Sequence, residues 1–211
     1  MTVSTVSSLS NFPNYFWQSL EKSNQDKDAE APVAVAIYAQ EDHNKAFTRH
    51  GYQFLILQVA KIYRMIVCEV RSNRGIGLII QNAAEQRGKA PQLLLLSAHG
   101  REDCIYLNRK NLYTLSDVRE EDFSNLAPNA EIFLNSCLTG SQSCKECLAQ
   151  RIANVSKRTV FAPAFNIFGR NTCIIPLPER KIQIFSYTES NIQHIYQFNS
   201  EKTPQLDLFR N

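Results

Sequence analysis

The chain has 211 residues, 44% of them apolar, and 23 Lys and Arg against 20 Asp and Glu for a formal charge of +3. That is enough apolar material to bury one sizeable core, and a charge so near zero argues against nucleic acid as the partner. No apolar run approaches the roughly 18 residues of a membrane-spanning helix, so no membrane association is expected.

The N-terminus lacks the basic segment followed by an apolar one that a signal peptide needs. Six cysteines (Cys68, Cys104, Cys137, Cys144, Cys147 and Cys173) are too few for a disulfide-dense scaffold. A reducing, cytoplasmic setting is the default expectation, although export by a route without a signal would leave no trace. Residues 145–181 carry seven Lys and Arg against two Asp and Glu, which reads as a solvated face.

Residues 1–31 are polar except for one amphipathic island. There Phe12, Phe16, Trp17 and Leu20 share a helical face and Pro13 suits a first turn, so a short helix docked on the body is expected. Residues 22–31 read as a tether to a domain over 32–200, with 201–211 as a tail. From Pro32, PVAVAIYA is the first expected strand, and Lys45 to Lys61 is a helix carrying Phe47, Tyr52, Phe54, Leu55 and Val59. YRMIVCEV is a second strand, and a helix runs near Gly75 to Arg87. QLLLLSA and AEIFLNS are the third and fourth strands, separated by CIYLN and LYTL as a small hairpin and SDVREEDFSNL as a short helix. A helix from Ser143 to Val155, then RTVFAPA and KIQIFSYT as fifth and sixth strands, complete the pattern.

Strands alternating with helices predict a parallel sheet covered on both faces, and continuous apolar runs suit buried central strands. The expected fold is α/β, a three-layer α-β-α sandwich with a mostly parallel central sheet of about six strands. In such sheets working sites collect beyond the carboxyl ends of the strands. His99 stands three residues past Leu96, the last apolar position of its strand, and Cys137 stands three past Leu134. On neighbouring strands about 4.8 Å apart, these equal offsets bring an imidazole and a thiol to one level of one edge. A nearby imidazole or helix N-terminus favours the thiolate, and the segment after Cys137 reads as a loop feeding a helix. Gly100 carries no side chain, which leaves its backbone N–H, like that of Cys137, free to face a developing oxyanion.

An apolar strand ending in His-Gly, followed by one ending in a small residue and Cys, resembles the caspase-like clan of cysteine peptidases, which includes caspases, legumains, separases and CHAT-domain proteins. The wording LLLLSAHG, DCIYLN, LYTLSDV, APNAEIFLNSCLTG and RTVFAPAF is most similar to the CHAT type, over about residues 32–190. The resemblance implies that His99 is the general base and acid, Cys137 the nucleophile, and Gly100 with Cys137 the oxyanion donors, acting on a protein or peptide substrate. That chemistry needs no metal or organic cofactor. Asn135 stands where several relatives carry a specificity-pocket residue, and Asp42, in the loop after the first strand, is a second pocket candidate that would attract a basic side chain.

Two other readings stay open: a catalytically silent caspase-like module that binds a regulatory protein partner, and a hydrolase of ubiquitin-like conjugates. Cys144 and Cys147 form C-K-E-C, half of a zinc motif without its other half, and read as one face of a helix. The tail Gln205, Leu206, Asp207, Leu208 and Phe209 resembles the short peptide by which bacterial partners bind the DNA sliding clamp, against the plainer reading of an apolar terminus tucked on the body. His43, His50 and His194 lack comparable surroundings, and His50, within an amphipathic helix, and His194, near a late strand, read as structural or exposed.

Overall fold

The computed structural model describes residues 12–40, 42, 50–141, 143 and 146–166, and beyond them five short strands. His43, Cys144, His194 and Asp207 to Phe209 lie outside the described residues, as does the start of the helix expected from Lys45. The strands are β1 (Val33–Ala39), β2 (Arg64–Val70), β3 (Leu93–Ser97), β4 (His99–Arg101), β5 (Cys104–Asn108), β6 (Asn111–Thr114), β7 (Glu131–Asn135) and β8 (Thr159–Pro163). After them come β9 (Thr172–Pro176), β10 (Ile182–Tyr187), β11 (Ile192–Gln193), β12 (Ile195–Phe198) and β13 (Gln205–Leu206). The helices are α1 (Asn14–Gln25), α2 (His50–Val59), α3 (Gly75–Arg87) and α4 (Leu148–Ser156).

The main sheet has the order β13-β12-β8-β7-β3-β1-β2. Its five strands from β2 to β8 are parallel, and β12 joins β8 antiparallel. The chain therefore folds as an α/β sandwich with a mostly parallel sheet between two apolar layers, the expected class. Alternation along each strand builds both layers at once. Ala34, Ala36, Tyr38, Leu93, Leu95 and Phe133 pack with α1 and α2, whereas Val35, Ile37, Leu94, Leu96, Ile132 and Leu134 pack with α3 and α4. Leu93 to Leu96 are each 1% exposed or less, so every leucine of the run is buried, contributing about 2 kcal/mol apiece.

The structure corrects several expectations. CIYLN and LYTL form the expected hairpin, but β4 extends it to a three-stranded sheet. SDVREEDFSNL makes only two 3-10 turns, Leu115–Asp117 and Glu120–Asp122. The first of these closes a capping box in which Asp117 accepts from the Thr114 backbone and hydroxyl, and a side chain so engaged with local backbone favours turns over longer helix. KIQIFSYT pairs with β9 and β11 in a separate antiparallel sheet, and IYQF takes the sixth place of the main sheet. The segment expected as a tether also changes character, because α1 runs on to Gln25.

There α1 closes an edge of the sheet. Ser23 Oγ donates to Ala60 O at 2.7 Å. Asn24 receives the Met65 N–H at 2.7 Å and donates to Met65 O at 3.0 Å, as a neighbouring strand would. At its other end Phe12 packs edge-on to Tyr38, with ring centres 5.2 Å apart. Phe16 is fully buried and stacks on Phe12, ring centres 4.7 Å apart. Replacing Phe16 with Ala is expected to cost about 3 kcal/mol in urea unfolding of the whole chain. A loss under about 1 kcal/mol would mean that α1 is an accessory to the core rather than part of it.

Candidate functional site at the carboxyl rim

β3 pairs in register with β7, Ser97 opposite Asn135, and the ladder continues one step as Ala98 N–H donates to Asn135 O at 3.4 Å. His99 and Cys137 stand two residues beyond that last pair, just past the ends of adjacent parallel strands and at the same rim. Each is half-buried, while Ala98 and Ser136 before them are buried. The two strand exits are in close contact. A Cβ added at Gly100 would lie 3.1 Å from Ser136 Cβ and 3.2 Å from both Cys137 O and Ile105 Cγ2. The glycine thus suits a tight approach of the two strand exits, where an added side chain would have to displace its neighbours by a few tenths of an ångström.

On the other side of β3 lies β1, whose exit carries Asp42. Its Oδ1 stands 3.6 Å from His99 Nε2, and its side chain is only 6% exposed. Across β1, β3 and β7 the rim thus presents Asp42, His99 and Cys137 in spatial order, beside the point where the chain order of the strands reverses between β1 and β3. Asp42 was expected as a pocket wall; the structure instead turns its carboxylate to the imidazole. The signal was available in the sequence, since Asp42 stands three residues past Ala39, the same offset that singles out His99 and Cys137.

Asn135, the other expected pocket residue, is 2% exposed, and its amide donates to Ser97 Oγ at 3.3 Å. It braces β7 against β3 below the rim and contributes no open surface. Tyr52, buried on α2, belongs to the same polar group. Burial raises its phenol above the ordinary range, the nearby Ser97 side chain opposes that rise and the charge of Asp42 adds to it. Ser97 and Tyr52 carried no sequence signal, because an isolated Ser or Tyr inside an apolar pattern reads as packing.

The loop after Cys137 is tightly held. Leu138 adopts φ 62°, a left-handed conformation unusual for leucine. Its N–H donates to Phe165 O at 3.1 Å, Gly140 N–H to Pro163 O at 2.9 Å, and Thr139 Oγ1 to Ser136 O at 2.9 Å. The helix that was expected to start at Ser143 begins at Leu148, with Cys147 as N-cap and 4% exposed. Its first two amides donate to Glu102 O and Thr139 O at 2.8 and 3.0 Å. The N-terminus of α4 therefore anchors the Cys137 loop and the β4–β5 hairpin, and those amides are committed to carbonyls rather than to a thiolate.

The other described thiols differ in kind. Burial pushes Cys68 up to about 11. It raises Cys104 as well, partly offset by Arg101, whose Nε donates to the sulfur at 3.2 Å. Among the described residues no three His, Cys, Asp or Glu gather as a metal-binding group, and no helix is long and apolar enough to cross a membrane.

A family model described as a domain of unknown function (DUF8616) matches residues 70–173. The matched stretch takes in His99, Gly100, Asn135 and Cys137 and leaves Asp42 outside. No curated protein matches the chain.

The geometry sets an order of tolerance among glycines. A Cβ at Gly140 would fall 2.6 Å from Ala162 O, whereas one at Gly88 meets nothing within 4 Å and is opposed only by its φ of 63°. Gly88→Ala is expected to cost about 1 kcal/mol and Gly140→Ala distinctly more, about 2 to 3 kcal/mol, in denaturant unfolding. Equal losses would mean that the loop yields without resistance.

Proposed function

We propose that the chain is a thiol-dependent endopeptidase of the caspase-like type, with Cys137 as nucleophile, His99 as general base and acid, and Asp42 as the carboxylate that positions the imidazole. The observation that carries this reading is the row of three: Asp42, His99 and Cys137 follow the ends of neighbouring strands on one rim, with Asp42 Oδ1 3.6 Å from His99 Nε2. His99 takes the thiol proton, and the Cys137 sulfur attacks the carbonyl carbon of the scissile peptide. The imidazolium then returns that proton to the departing amine, leaving a thioester. Water, deprotonated by the same imidazole, cleaves the thioester and restores the thiol.

The substrate is a protein or peptide, and no step requires a metal or organic cofactor. The oxyanion role is assigned to the backbone of Gly100 and Cys137, the Leu138 amide being bonded to Phe165. The burial of Asp42 beside His99 removes the basis for a preference for Arg or Lys at the cleaved position. A rigid frame suits the chemistry, since a two-residue site must be held to within about 0.5 Å.

An electrophilic peptide probe, such as an acyloxymethyl ketone, is expected to label the wild-type protein at Cys137 near neutral pH, and Cys137→Ala to abolish that labelling. Cys68 and Cys104 should stay unlabelled, their thiols held protonated by burial. His99→Ala should slow labelling by about 100-fold or more, and Asp42→Asn by a smaller factor with little change in melting temperature. Labelling that is absent, or unaffected by His99→Ala, would refute the catalytic assignment and favour a silent binding module.

A further inference from the structure

A cavity lies at the end of the sheet opposite the carboxyl rim. It occupies about 780 Å³ beside the edge strand β2, between α1 and the last turn of α3, and its walls include Trp17, Glu21, Lys27, Arg64 and Arg87. Arg64 opens β2 opposite Val33, the first residue of β1, so the cavity sits at the amino edge while His99 and Cys137 sit at the carboxyl rim. Three cationic side chains face it against the single carboxylate of Glu21.

The arginines are the informative part. Neither Arg64 nor Arg87 takes part in any ion pair among the described residues. The Nε of each is buried without a hydrogen-bond partner. Arg87 spends one Nη2 bond on Met65 O at 3.2 Å. Its guanidinium is held below its ordinary range first by burial and then by the charge of Arg64. Among the described residues Lys27 donates to the carbonyl and hydroxyl oxygens of Ser23. The carbonyl end of α3 accounts for a cation at Arg87, but not for a second guanidinium beside it. Two neighbouring half-buried guanidiniums, each with a buried Nε that no acceptor meets, cost free energy unless an anion joins them.

We propose that this cavity binds a nucleotide, its phosphates held by Arg64, Arg87 and Lys27 and its base against Trp17. Adjacent guanidinium forks match the oxygens of a phosphate chain better than a single carboxylate would. The volume lies within the range of about 300 to 1,000 Å³ typical of small-ligand sites. Trp17 supplies a flat, half-buried wall held edge-on by Phe12 and Phe16, with ring centres at 5.5 and 5.0 Å. The proposal is independent of the peptidase reading, since no residue is shared.

Trp17 is the only tryptophan in the chain, so its fluorescence reports on the cavity directly. Titration of the full chain with ADP is expected to change that emission saturably and to raise the melting temperature. Pyrophosphate should bind more weakly than ADP, and adenosine more weakly again. Arg64→Gln and Lys27→Gln should each weaken ADP binding by about tenfold; Lys27, outside the core, serves as the variant whose fold is secure. No change in emission or melting temperature at about 5 mM ADP would overturn the proposal. So would an affinity unaltered in Lys27→Gln and Arg64→Gln, and ADP binding no tighter than pyrophosphate would overturn the nucleotide assignment.

Discussion

The constraint on which the rest depends is the burial of β3 between β1 and β7 with every leucine of LLLL packed into one or other layer. Because side chains alternate, a slip of one residue would exchange the two layers, so the register is strongly determined. Ser97 is thereby locked opposite both Tyr38 and Asn135. Three strand ends then share one level, and the residues just past them emerge side by side.

Rigidity at the rim comes from polar contacts that the core alone would not provide. Below the rim, Asn135 and Ser97 join β7 to β3. Above it, the loop from Leu138 to Ser141 is bonded to the end of β8 and to the first turn of α4, and α4 is in turn bonded to the hairpin tip at Glu102. The left-handed backbone at Leu138 is sustained by these surroundings. Strain of this kind persists only where neighbouring contacts determine the chain path, and here it sits one residue beyond the half-exposed thiol.

The two faces of α1 give that helix two duties. Phe12, Phe16 and Leu20 complete the apolar layer over Ala34, Ala36 and Tyr38, while Ser23 and Asn24 satisfy backbone at the β2 edge. The cavity lined by Arg64 and Arg87 exists because α1 crosses that edge and leaves space between itself and α3. Its composition could be written down from the chain, but its existence could not, since Trp17, Arg64 and Arg87 lie far apart in sequence.

Much of the architecture was legible locally. The run of buried apolar residues marked β1, β3 and β7, helical periodicity marked α3 to its ends, and equal offsets past the strands marked His99 and Cys137. These features are short-range, and apolar patterning reports burial wherever the chain folds. What only the tertiary structure decided was pairing and orientation. It placed β10 outside the main sheet, turned Asp42 toward His99, buried Asn135, and committed the first amides of α4 to carbonyls. Each of these outcomes depends on which groups meet across large sequence separations, where hydrogen-bond satisfaction and packing select among strands and side chains whose local patterns are alike.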